Sequence, residues 1–352
     1  MTTRIAVICP GRGTYNAPEL GYIQRHHQDG HPEKARWLAA FDAYRRKQGL
    51  PTITELDSAP RYQMTLHSRG EHASALIFAC AWLDWLSIDR ERFGVNVITG
   101  NSMGWYIALA CAGAVDPVDA LHMMSTTGRL MQEQRIGGQV VYPVVDADWR
   151  PDEARKAALR DLMATLNARY GNEEAFLSID LGGMWVLAGT DRAIQDLMAE
   201  LPPVDDRFPL KLYNHAAFHT PLQRFASEAA RKEISADIFS VPRIPLVDGR
   251  GRIWTPWSTD TLALHAYTLG HQITHTYFFS HAVEMVAKEY APTHLVILGP
   301  GETLGAPVAQ TLIRHRLKDL TCKADFSAAQ AGDTPPVISM GRPGQRALIC
   351  VS

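Results

Sequence analysis

The stretch from Val95 to Ala110 constrains this chain most, because its hydrophobic period changes halfway along. Val95-Asn96-Val97-Ile98-Thr99 is β-branched apart from Asn96, as a buried strand would be, whereas Trp105 to Ala112 is rich in helix formers. Between them stands Gly100-Asn101-Ser102-Met103-Gly104, a Gly-x-Ser-x-Gly turn. Gly100 and Gly104 let the backbone reverse sharply and let helix and strand approach closely, so the Ser102 hydroxyl is expected to stand exposed in a strained position. The helix beyond it aims its first amides, including that of Met103, at the place where an oxyanion would form. The plain alternative is a tight turn with an N-capping serine.

The 352 residues can bury a large core, enough for one big domain or a big one with a smaller insert. The 35 basic and 37 acidic side chains nearly cancel, leaving no field to draw in nucleic acid or anionic lipid, so neither is expected as a partner. Arg4 to Cys9 reads as a strand without a secretory pattern. No run approaches the roughly eighteen apolar residues of a membrane span, and a cytoplasmic location is expected. Cys9, Cys80, Cys111, Cys322 and Cys350 are scattered and odd in number, and are read as buried thiols with no disulfide framework or zinc site. His26, His27 and His31 fit no metal spacing and are read as solvated. No metal is expected.

The first strand runs into Pro10-Gly11-Arg12-Gly13-Thr14-Tyr15, which lacks a Walker lysine and the Rossmann pattern and reads as a turn near a site. Residues 16–70 are polar and mixed. Glu71 to Leu86 carries an apolar stripe at helical spacing, and the methionines at 123, 124 and 131 read as core packing. From Gly137 the texture changes to a β-α-β-β-α-β series ending near Tyr213, the signature of a ferredoxin-like unit inserted in the larger chain. Strands and helices alternate on both sides of this insert, so the large part is expected to hold a mostly parallel sheet. Two units are expected: a large one from 1–136 and 214–352, and a small one from 137–213. The last thirty residues read as a loose tail.

A base for Ser102 is offered by His219 in Ala217-Phe218-His219-Thr220-Pro221-Leu222, just after the insert. Taken with Pro10-Gly11-Arg12-Gly13, the serine turn, Gly128-Arg129-Leu130-Met131-Gln132 and Leu298-Gly299-Pro300-Gly301, this order of motifs resembles the malonyl-CoA:acyl carrier protein transacylase family over roughly residues 4 to 315. The resemblance implies an α/β fold, with an α/β-hydrolase-like large subdomain, a ferredoxin-like small subdomain and a site in the cleft between them. It makes Ser102 a nucleophile that takes an acyl group from a thioester, and His219 its base and later acid. A backbone carbonyl near Leu269-Gly270-His271-Gln272 would hold the histidine, although Asp180 is a possible third member. The amides of Met103 and Arg12 would form the oxyanion hole. His215 is expected to face elsewhere. Coenzyme A and phosphopantetheine thioesters are implied as substrates, an acyl-CoA and an acyl carrier protein as partners, and no bound cofactor.

Three departures from the family pattern bear on the acyl group. Thr127 stands where the family has an arginine that pairs with the malonyl carboxylate, and threonine cannot form that ion pair. Arg12 replaces a glutamine, and Asn101 and Trp105 replace a histidine and a glutamate around Ser102. Arg12 either supplies the missing cation or caps a carbonyl near the surface; in the second case the acyl group should be uncharged, such as acetyl. Trp105 is read as narrowing the acyl pocket or as packing, and Asn101, Thr127 and Gln272 complete the candidate substrate wall. Three functions follow from the resemblance: transfer from acyl-CoA to a carrier protein in fatty acid or polyketide assembly, hydrolysis of carrier-bound thioesters, or a docking protein without turnover.

Overall fold

The computed structural model describes residues 2–134 and 136–351, with only the backbone of Gln134; the expected large unit's end residues 1 and 352 lie outside the described residues. Its strands are β1 (Thr3–Cys9), β2 (Phe93–Gly100), β3 (Gly138–Pro143), β4 (Ala175–Leu181), β5 (Met184–Gly189), β6 (Leu210–Lys211), β7 (Leu246–Val247), β8 (Ile253–Trp254), β9 (His294–Ile297) and β10 (Val337–Ser339). They form two sheets. The larger has the order β10-β9-β1-β2-β7-β8 and is parallel except for β8. β1 explains why such a sheet needs cover on both sides: Ile5, Val7 and Cys9 enter one hydrophobic cluster while Ala6 and Ile8 enter another. Helix α1 (Gly70–Ser87), almost wholly buried, fills the first cluster.

The smaller sheet has the order β4-β5-β3-β6 and is antiparallel, the strand order of a ferredoxin-like unit. Helices α2 (Glu153–Tyr170) and α3 (Asp191–Glu200) cover one of its faces, packing Leu159, Leu166, Ile194 and Leu197 with Val140, Tyr142 and Leu187. The other face turns toward the large sheet. Tyr277 stitches the two parts together: its amide donates to the Ser178 carbonyl at 2.9 Å and its carbonyl accepts from the Asp180 amide at 3.0 Å. The α/β architecture expected from the sequence is therefore the one observed. No described helix is long and apolar enough to cross a membrane.

Two expectations are corrected. The C-terminal tail is not loose, because β10 is a buried edge strand and the helix Pro343–Ile349 brings Arg346 onto Asp84. His27 is not solvated either: it is buried, with its Nε2 3.0 Å from the same Asp84 carboxylate. Asp84 also accepts from the Tyr22 hydroxyl and from the Gly299 amide at 2.7 Å, so one buried carboxylate ties the tail to the Gly299-Pro300-Gly301 turn. His31 is exposed as expected, and His26 is half-buried.

Candidate active site

β2 ends at Gly100 and a helix runs from Gly104 to Cys111, so the Gly-x-Ser-x-Gly segment is the turn between them. Ser102 sits in the left-handed region at φ 54°. Both glycines are required by close approach. A Cβ on Gly100 would lie 2.2 Å from the Gly104 carbonyl group, and one on Gly104 would lie 2.3 Å from the Cys9 carbonyl oxygen. The loop after β1 is drawn against the same turn, because a Cβ on Gly11 would meet the Asn101 carbonyl oxygen at 2.7 Å.

His219, also left-handed at φ 57°, places its Nε2 2.6 Å from the Ser102 Oγ. Its Nδ1 lies 2.6 Å from the Gln272 carbonyl oxygen. A carbonyl can only accept, so Nδ1 carries the hydrogen and Nε2 is left as the acceptor for the serine hydroxyl. Burial holds the imidazole down to about 4, against the upward pull of the Gln272 carbonyl, so it is neutral at pH 7. Gln272 acts on Ser102 as well. Its side-chain amide donates to the Ser102 carbonyl at 3.0 Å, and its Oε1 accepts from Tyr106 at 3.2 Å. Asp180 takes no part here, since its carboxylate pairs with Arg314 at 2.9 Å and accepts from Ser280 at 3.1 Å.

A cavity of about 540 Å³ opens over this pair, bounded by the serine turn, the loop after β1 and the uncovered face of the small sheet. Asn101, Met103, Arg12, Thr127 and Gln272 all line it. The Thr127 hydroxyl donates to the Met123 carbonyl at 2.9 Å, one turn back on its own helix. Asn101 is buried, and its Oδ1 has no partner among the described residues. Arg12 donates to the Ser68 carbonyl at 3.4 Å and carries its guanidinium 5.4 Å from the centre of the Phe218 ring. Trp105 does not reach the cavity. It is fully buried on the other side of the turn, where its indole N–H donates to Thr268 at 3.0 Å and its ring meets Tyr267 edge to face. The pocket-narrowing expectation for Trp105 is corrected to packing: it opens the helix that leaves the serine turn, and the position faces the core.

The sequence missed three members. His215 does not face elsewhere; it lines the cavity, with Nδ1 2.7 Å from the Gln139 Oε1. Gln139 donates to Ser178 at 2.6 Å, and Ser178 donates to the Phe218 carbonyl at 2.8 Å. This chain props the backbone that carries His219. Burial and the Arg12 charge pull His215 down to about 3. Only the strand alternation of β3, with Gln139 two residues from Val141 on the cavity side, carried a signal of it.

No protein-family profile matches the chain. Among curated proteins it is 24% identical over 307 residues to the malonyl CoA-acyl carrier protein transacylase of Salmonella typhimurium, covering 86% of this chain and 91% of the relative. Its relatives include malonyl CoA-acyl carrier protein transacylases of several bacteria and short stretches of polyketide synthases. The solved structure of the transacylase from Synechocystis sp. PCC 6803 superposes with a TM-score of 0.74 at 15% identity, covering 98% of this chain and all of the other. A malonyl-transacylase solved with its type II polyketide acyl-carrier protein aligns with a TM-score of 0.70 at 16% identity over 97% of each chain. At these identities the transacylase structures establish the shared fold.

Proposed function

We propose that this protein is an acyltransferase that moves an acyl group from coenzyme A to the phosphopantetheine arm of an acyl carrier protein, in fatty acid or polyketide assembly in the cytoplasm. The observation that carries the reading is the 2.6 Å contact between Ser102 Oγ and a neutral His219 whose tautomer is set by the Gln272 carbonyl. Support for the substrates comes from relatives named as transacylases and from a neighbour solved with its carrier protein.

Ser102 Oγ attacks the thioester carbonyl while its proton passes to His219 Nε2, so no third carboxylate is needed. The amides of Met103 and Arg12 receive the oxyanion. The C–S bond then breaks, and His219 returns the proton to the departing thiolate. The carrier thiol repeats the sequence in reverse on the acyl-serine. We further propose that residues 1–136 and 214–352 act as one body carrying the nucleophile, with 137–213 as a second body that roofs the cleft.

The experiment is intact mass measurement after incubation with acyl-CoA, followed by addition of carrier protein. The reading expects an acyl mass on the wild-type chain, none on Ser102→Ala, and its transfer to the carrier thiol. An acyl mass that leaves as free acid with the carrier protein untouched would make the protein a hydrolase. No acyl mass with any thioester would leave only the docking reading.

A further inference from the structure

The cavity has a rim and a floor. Arg207, Glu302 and Thr303 on its lining are exposed, whereas Tyr106, Met124, Thr127 and Ile273 are buried. Four polar side chains of the lining, Thr127, Tyr106, His215 and Gln139, are occupied by protein partners, while the buried Asn101 Oδ1 has none among the described residues. Thr127 donates to Met123, Tyr106 donates to Gln272, and His215, Gln139 and Ser178 form one chain ending on the Phe218 carbonyl.

The roof is the side of the small sheet that no helix covers. Pleating sends Val141 on β3, Ile179 on β4, Val186 on β5 and Leu210 on β6 to this one side, and the pairings Val141 with Val186 and Val141 with Leu210 set them next to one another. An apolar sheet face left uncovered by its own helices, closing a cavity above a nucleophile, is a surface built to bury hydrocarbon. Arg12 shares the cavity, with its guanidinium laid over Phe218 and hydrogen-bonded to Ser68.

We propose that the acyl group carried by Ser102 is an uncharged alkyl chain longer than acetyl, lying against the wall of Val141, Ile179 and Val186. The inference rests on the acyl-serine reading above and names its substrate class. The physical reason is differential burial: each methylene set on this wall leaves water favourably, while a terminal carboxylate set there gives up hydration. The step balances as before. The Ser102 O–C bond forms, the C–S bond breaks, and the serine proton ends on coenzyme A sulfur.

The test loads the wild-type protein with acetyl-, butyryl-, hexanoyl-, octanoyl- and malonyl-CoA, singly and in equimolar competition, and follows the acyl-enzyme by intact mass. Loading efficiency is expected to rise roughly threefold to fourfold per added methylene over the early members of the series. Malonyl is expected to lose every competition with hexanoyl. Malonyl loading at least as well as hexanoyl would overturn the inference while leaving the acyl-serine reading intact. Failure of every thioester would remove both. Val141→Phe, which fills the wall, should lower the octanoyl-to-butyryl ratio by roughly tenfold or more. This ratio is taken within one variant and does not depend on how much of it folds; an unchanged ratio would overturn the placing of the chain.

Discussion

Ser102 and His219 both stand in left-handed backbone, at φ 54° and 57°, but their turns are made by different means. The serine turn is forced locally: Gly100 and Gly104 allow strand, helix and the neighbouring Cys9 carbonyl to close to distances that no side chain would permit. The histidine turn contains no glycine. Residues distant in sequence hold it, with the Ala217 amide on the Ile136 carbonyl at 2.8 Å, Ser178 on the Phe218 carbonyl and Gln272 on the imidazole itself. One reactive group is therefore positioned by covalent economy and the other by tertiary contact, and perturbations should separate them.

The largest expected effect tests whether the two halves act as one unit. His219→Ala should lower acyl transfer by roughly 10⁴-fold or more, with Ser102→Ala no less severe and the double variant little worse than either, because a nucleophile without its base gains little from the remaining geometry. Steady-state transfer to a carrier protein measures it. Multiplicative losses in the double variant would mean that the two side chains work independently.

Next in size is a break confined to the serine turn. Gly104→Ala puts a Cβ 2.3 Å from the Cys9 carbonyl oxygen, a clash between backbones that no rotamer relieves. It should cost about 3 kcal/mol or more, read as a lowered denaturation midpoint, and should remove activity by displacing Ser102. A variant as stable and active as the wild type would show the turn to be looser than its contacts imply.

Acid separates the two sites in the other direction. His219 must be neutral to accept a proton, and it is held down to about 4, so the acylation rate should stay level from neutral pH to about pH 5. It should then fall roughly tenfold per unit below about 4. An inflection near 6.5, the ordinary histidine value, would mean that the imidazole is not buried during turnover. Stability follows the same sign. His219 and His215 are both lowered, to about 4 and about 3, so the unfolded chain takes up protons first as pH drops. Their contribution is complete above about 6.5 and is lost as pH falls through the folded values; melting at pH 7 and pH 4.5 tests the direction.

Legibility in the sequence follows the same division. The serine turn could be read because glycine spacing and a change of period are local signals, and the two sheets because strand and helix patterns alternate along the chain. Trp105 was ambiguous because helical position alone does not say which side faces a cavity. His215 and His27 were misread for a common reason: their partners, Gln139 and Asp84, are brought to them only by the fold. The tail failed as a reading because β10 has three residues, too few for a period, and gains its place from pairing with β9.

The smallest effect is the most discriminating for the histidine turn. Ser178 is fully buried on β4 and touches neither Ser102 nor His219 in any described hydrogen bond, yet it joins Gln139 to the Phe218 carbonyl immediately before the histidine. Ser178→Ala removes two hydrogen bonds and leaves the Phe218 carbonyl and the Gln139 amide to find new partners, a loss of about 1–3 kcal/mol. If tertiary contact holds the imidazole in register, kcat should fall several-fold while KM for the acyl-CoA changes little, because the substrate wall is untouched. The acid limb of the rate profile should also move upward toward the ordinary histidine value as water gains access. Ser178→Thr, which keeps the hydroxyl, should restore the profile. A loss of stability with kcat and profile unchanged would show that the histidine turn, like the serine turn, is fixed by its own backbone.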